Sequence, residues 1–300
     1  MILKDVGKIK IRLLLFFSFI TSIGLAQKQI IVDADTGNEV DDLYALVRIL
    51  MEPSVEVIAL NAAHWQTAHW AIENTMENSH RLNQQLLGEM GLSVKTNRGG
   101  AARMYDWGDR AQHSAATYEI IKQAKAQPAG TRLPILVLGA LTNVSSALFL
   151  EPSISSSIEV FWLGTTMDFD TKILKRNDFN CAMDQYALDY ILESSVPMNI
   201  MPVSVASAME IDYETISGKI GNHYLGDYLI KRWDDHLDGG RRNRVLWDLA
   251  LVTSFIKPSL ATLVPVQTSR DSGNRTINFY SSINSKDIYE DFYKNLLGFK

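Results

Sequence analysis

The chain predicts an α/β fold, a mostly parallel central sheet with helices on both faces. Short, continuous apolar runs recur along it, rich in β-branched residues and each of strand length. Helical patterns fall between these runs, so strand and helix alternate. The runs are apolar on both pleat faces, as in a sheet that is covered on both sides.

Taken in order, the first 26 residues differ in kind from the rest. Lys4, Lys8, Lys10 and Arg12 lead into LLLFFSFITSIG, and GLAQ then places Gly24 and Ala26 at the −3 and −1 positions of a cleavage site. A membrane anchor is the alternative, but the run falls short of the ~20 apolar residues that a spanning helix needs. No cysteine marks the cleavage point, which argues against lipid attachment. The expectation is export, periplasmic or secreted, with no stable membrane anchor once residues 1–26 are removed. Mass spectrometry of protein from its own host should find the mature N-terminus near Gln27. An intact Met1 in a soluble cytoplasmic fraction would overturn that.

Residues 27–300 contain no low-complexity linker or internal repeat, so one domain is expected. QIIVD (29–33), VEVIAL (55–60), LPILVLG (133–139), IEVFWLG (158–164) and VPMNIMPV (196–203) read as strands. Helical patterns cover 41–51, 68–90, 114–126, 143–150 and 184–194. The helix-rich stretch 214–256 is expected to cap one edge, and residues 276–298 to form a last strand and helix. In such sheets ligands bind outside the carboxyl ends of strands.

Bulk properties exclude several classes. A composition that is 46% hydrophobic over 300 residues supports a sizeable core. The net charge is −5 with scattered basic residues, so no nucleic-acid partner is expected. A single cysteine, Cys181, excludes an internal disulfide framework and a multi-cysteine metal site.

The chemistry concentrates in IIVDADTGNEVDD, residues 30–42, where Asp33, Asp35, Asp41, Asp42 and Glu39 crowd the mouth of an apolar strand. Asp41 and Asp42 could simply open a helix, where carboxylates suit the dipole. That leaves Asp33 and Asp35 unexplained. A hard divalent ion such as Ca²⁺ or Mg²⁺ would compensate the repulsion. The EF-hand order is missing. IIVDADT also fits the D-x-D-x-T signature of haloacid-dehalogenase-type phosphohydrolases, with one Asp as nucleophile. That signature does not need the later Asp-Asp pair.

VDADTGNEVDDLYAL resembles the N-terminal signature of the nucleoside hydrolases of the inosine-uridine-preferring type, D-x-D-x-G-x-D-D-A-x-A, with two extra residues between Gly37 and Asp41. LVLGALTNVSSAL, NDFNCAMDQYAL and LWDLALV resemble three further segments of that family, in its order. The resemblance implies a nucleoside-hydrolase-like α/β domain and a hydrolase acting on N-glycosyl compounds. A Ca²⁺ ion would be held by Asp35, Asp42, the Thr142 carbonyl and Asp248. Water on that ion would lose its proton to Asp35, the general base, and attack C1′ of the ribose. Asp41 would accept from the ribose 2′-hydroxyl, Asn180 and Asp178 would serve hydroxyls further round the ring, and Asp33 would orient its neighbours.

Departures from the pattern fall on the leaving-group side. Asp178 replaces a glutamate and is one methylene shorter. AAHWQ replaces an Asn-bearing segment, so His64 or Trp65 fills that space. Trp247 stands where the family has a histidine thought to protonate the leaving base. Tryptophan offers a face for stacking instead. The expected partner is a small-molecule nucleoside or riboside, and the expected assembly a homodimer or homotetramer. Two other readings stay open: the phosphohydrolase, and a metal-dependent ribose- or glycan-binding protein with little turnover.

Overall fold

The computed structural model describes residues 27–105 and 108–300, so the expected signal segment lies outside the described residues. In chain order the first half contains β1 (Lys28–Ala34), α1 (Asp41–Leu50), β2 (Val55–Ala62), α2 (Thr75–Glu89), the short β3 (Thr96–Asn97), α3 (Ala115–Lys125), β4 (Leu133–Val137), α4 (Thr142–Leu150) and β5 (Ile158–Leu163). A small hairpin of β6 (Thr166–Asp168) and β7 (Ile173–Lys175) precedes α5 (Phe179–Met183), α6 (Gln185–Glu193), β8 (Met198–Met201) and α7 (Val203–Ala206). The remainder runs through β9 (Glu210–Asp212), α8 (Tyr213–Ile220), α9 (Tyr224–Asp234), β10 (Asn243–Val245), α10 (Trp247–Ile256), β11 (Ala261–Gln267), β12 (Thr276–Ile283) and α11 (Ser285–Gly298).

Eight strands form the central sheet in the order β11-β12-β8-β5-β4-β1-β2-β3. Every pairing in it is parallel except β11 with β12. Successive side chains on each strand serve opposite faces, which gives two cores. On β1, Ile30, Val32 and Ala34 enter one core while Ile31 enters the other. Residues of α1, α10 and α11 close the first face, and residues of α3, α4 and α6 close the second. The expected architecture is observed. Among the described residues no helix is long and apolar enough to cross a membrane.

The strand order sets the site. From β1 the chain winds outward through β2 and β3, then returns to place β4 on the other side of β1 and continues away through β5 and β8. The carboxyl ends of β1 and β4 therefore flank the point where the winding reverses, and a crevice opens there. α1 is held firmly behind it. The buried Arg48 near its last turn pairs with Asp291 of α11 at 2.5 Å and with Glu52 at 3.0 Å.

Candidate metal-binding active site

Two strand ends and two helix starts converge on the crevice. β1 delivers Asp33 and Asp35, α1 opens with Asp41 and Asp42, and α10 carries Asp248 in its first turn. All five carboxylates are buried. The amino ends of α1 and α10 each supply the positive end of a helix dipole, which eases but does not cancel this charge.

Asp33 is turned to structural use. Asn143 Nδ2 donates to its Oδ1 at 2.8 Å and to the Ala62 carbonyl at 3.1 Å, which ties the ends of β1, β2 and α4 together. Asp35 lines the crevice and lies against Gly139. A Cβ at position 139 would come within 2.7 Å of the Asp35 carboxylate, so only glycine leaves room for it.

Carboxylate oxygens of Asp41, Asp42 and Asp248 lie within 4.8 Å of one another. The Asp248 amide donates weakly to Asp41 Oδ2 at 3.3 Å. Asp35 Oδ2, Asp42 Oδ1 and Asp248 Oδ1 are buried with no hydrogen-bond partner among the described residues. Burial, then the charge of Asp41, pushes Asp35 up to about 8. Burial raises Asp41 to about 6 against hydrogen bonds from Asp248. Asp42 and Asp248 are driven well above the carboxylate range by burial first and by neighbouring aspartates second. Unpartnered oxygens this close together, with oxygen the only donor atom, fit a hard divalent ion. The group is able to hold a metal. Of the expected ligands, Asp42 and Asp248 are brought together and Asp35 lines the same crevice; the third member of the trio is Asp41, which was expected at the ribose.

Thr142 and His64 are buried, and neither is among the residues lining the crevice. The Thr142 hydroxyl donates to Asp184 Oδ2 at 2.6 Å, so it accepts from His64 Nε2 at 2.9 Å. His64 Nδ1 accepts from the Gln66 amide, and burial lowers the ring to about 4, so it is neutral. His64 was expected at the substrate, yet neither it nor Trp65 is among the residues lining the crevice. The chain after β2 turns inward, and His64 steadies the start of α4 instead.

The rim is half polar, half aromatic. Asn180 gives both amide hydrogens to strand-end carbonyls, Leu138 at 2.6 Å and Leu163 at 2.9 Å, which leaves Oδ1 as an acceptor. Asp178 caps α5, accepting from the Asn180 and Cys181 amides, and also takes the Thr165 amide at 2.6 Å. Thr165 has φ +67, a conformation costly for a β-branched residue, and this bond helps hold it. Trp247 lines the crevice partly buried, its Nε1 donating to Ser207 Oγ at 3.2 Å. Trp70, another lining residue, stacks on Phe179 with ring centroids 5.4 Å apart.

The family model described as inosine-uridine preferring nucleoside hydrolase matches residues 30–285. The chain belongs to that family. It is a hydrolase acting on N-glycosyl compounds. Among solved structures it is similar to an inosine-guanosine nucleoside hydrolase, with a TM-score of 0.66 and 18% identity over 90% of this chain and 98% of that one. A purine-preferring ribonucleoside hydrolase from Gardnerella vaginalis gives 0.66 and 19% over 91% and 99%. A plant nucleoside hydrolase gives 0.68 and 16% over 90% and 98%. These likenesses establish the nucleoside hydrolase fold. No curated protein matches the sequence.

Sequence reading missed several residues that line the crevice. Asn38 and Glu39 fall within the lengthened part of the first motif, a signal that was available. Trp70 lies in a segment that reads as helix, although α2 begins only at Thr75, after Asn74 adopts φ +57.

Proposed function

We propose that the protein hydrolyses the N-glycosidic bond of ribonucleosides or related ribosides, with Ca²⁺ held by Asp35, Asp42, Asp248 and the Thr142 carbonyl. The observation that carries this reading is the set of buried, unpartnered carboxylate oxygens at one strand-helix crevice. The ion, when bound, supplies the positive charge these carboxylates lack and Lewis acidity toward oxygen.

The side chains do the rest. Asp35 accepts the proton of the attacking water as its oxygen bonds C1′ and the C1′–N bond opens through an oxocarbenium-like state. Asp41 accepts a hydrogen bond from the ribose 2′-hydroxyl, and Asn180 Oδ1 accepts from another ring hydroxyl. Asp178, its oxygens tied to backbone amides, holds the rim in shape. A nucleoside panel assayed separately for reducing sugar and phosphate tests the reading. Sugar without phosphate supports it. Phosphate without sugar favours a phosphohydrolase, and ribose binding with neither product favours a binding protein.

Trp247 should act by stacking on the leaving base. Its replacement by Phe is expected to keep much of the activity on purine ribosides. Trp247→Ala should lose about 1–3 kcal/mol of transition-state stabilisation, by analogy with base–aromatic stacking. Pyrimidine ribosides, with less surface to stack, should be poorer substrates. Measuring kcat/KM and melting temperature on one Ala preparation separates stacking from packing. A large drop in melting temperature with normal catalysis would sink the stacking role.

A further inference from the structure

The leaving-group side of the crevice is rich in carboxylates and aromatic faces, and burial, then the charge of Asp41, raises Glu39 there to about 7. Among the described residues, no lysine, arginine, histidine, tyrosine, serine, threonine or cysteine lines it. The indole N–H groups of Trp70 and Trp247 are engaged with Asn38 and Ser207. The amide of Asn38 can donate a hydrogen bond but is not acidic. Glu39, from the two-residue lengthening of the first motif, takes the buried Arg244 guanidinium on Oε2 at 2.8 Å. Its other carboxylate oxygen is not engaged by Arg244. Arg244 also grips Asp238 at 2.6 Å, so the glutamate is held in place.

A neutral base leaves as an anion and must gain a proton. A ring that is already cationic does not. In its cleavage, water oxygen bonds C1′, the C1′–N bond breaks, and its electron pair cancels the positive charge on the ring nitrogen. The water proton passes to Asp35, and the ring departs neutral. Before cleavage that cation would meet the Glu39 carboxylate and the faces of Trp70 and Trp247, all of which attract positive charge. Resting on the hydrolase reading, we propose that this protein prefers ribosides with a cationic leaving group, of the N-alkylpyridinium or N-alkylpurinium class.

The test compares nicotinamide riboside with benzamide riboside, a neutral isostere with a C–C glycosidic bond, by quenching of tryptophan fluorescence in the Ca²⁺-loaded protein. Binding of the cation is expected to be about tenfold tighter. Glu39→Gln should cut that preference severalfold, and so should Trp70→Leu, a change at a half-exposed position that spares the core. In turnover, 7-methylinosine should exceed inosine in kcat/KM after spontaneous hydrolysis is subtracted. Equal affinity for the two ribosides would overturn the proposal. So would inosine turnover equal to that of 7-methylinosine and lost selectively in Glu39→Gln, because Glu39 would then be donating a proton. If no riboside is cleaved, the hydrolase reading fails, while the affinity ratio still decides the preference for a cation.

Discussion

Asp35→Asn is expected to lower kcat/KM by about 10²–10⁴-fold, the usual contribution of a positioned general base, while Ca²⁺ remains bound. The substitution keeps the volume that Gly139 accommodates and removes only the charge and the proton acceptor. Asp42→Ala and Asp248→Ala should behave differently. Each removes a carboxylate from the group whose oxygens lie within 4.8 Å of one another, and each is expected to abolish Ca²⁺ binding. Calorimetric titration with Ca²⁺ and turnover on the same preparations separate base from ligand. An Asp248→Ala variant that binds Ca²⁺ like the parent would remove α10 from the metal site. Full turnover in Asp35→Asn would remove the base.

The same crowding should make stability depend on both pH and metal. Asp33, Asp35 and Asp41 are raised to about 7, about 8 and about 6, above their ordinary value of 3.8. A folded-state pKa above the unfolded one means that the fold prefers the protonated form. The contribution is present below about pH 4 and is lost as pH rises through the range 6–8. Chelator-treated protein should therefore melt at progressively lower temperature between pH 5.5 and 8. Calcium replaces those protons. At a hundredfold excess over its dissociation constant it should add about 2.7 kcal/mol, or roughly 4–5 °C in a chain of this size, at pH 8. At pH 5.5 the gain should be less than half as large, because protons already neutralise the site. Scanning calorimetry at both pH values checks this. A Ca²⁺ effect equal at the two values would contradict the compensation argument.

Much of the fold could be read from the chain because its central strands are buried on both faces. QIIVD and LPILV need no alternation to be recognised. β11 escaped notice because ATLVPVQ contains Pro265, which argues against a central strand. It lies at the sheet edge, paired only with β12, where a missing N–H is tolerated. The expected helix over 68–90 starts late because Asn74 enters a left-handed conformation and the residues before it turn.

At the site, the acidic residues were legible because charge beside an apolar strand demands a partner. The aromatic rim was not. Trp70 and Phe179 lie far apart in sequence and meet only through the loops after β2 and β7. His64 shows the converse. A polar residue after a strand end looks like a ligand, but its neutral ring holds Thr142 and leaves the crevice to others.

A crystal structure of the protein with Ca²⁺ and ribose tests the central claim most directly. One ion is expected between the carboxylates of Asp35, Asp42 and Asp248 and the Thr142 carbonyl, with two ribose hydroxyls completing its shell and Asp41 accepting from one of them. An ion held instead by Glu39, His236 and Asp238, or ribose bound with no ion among the aspartates, would contradict the account.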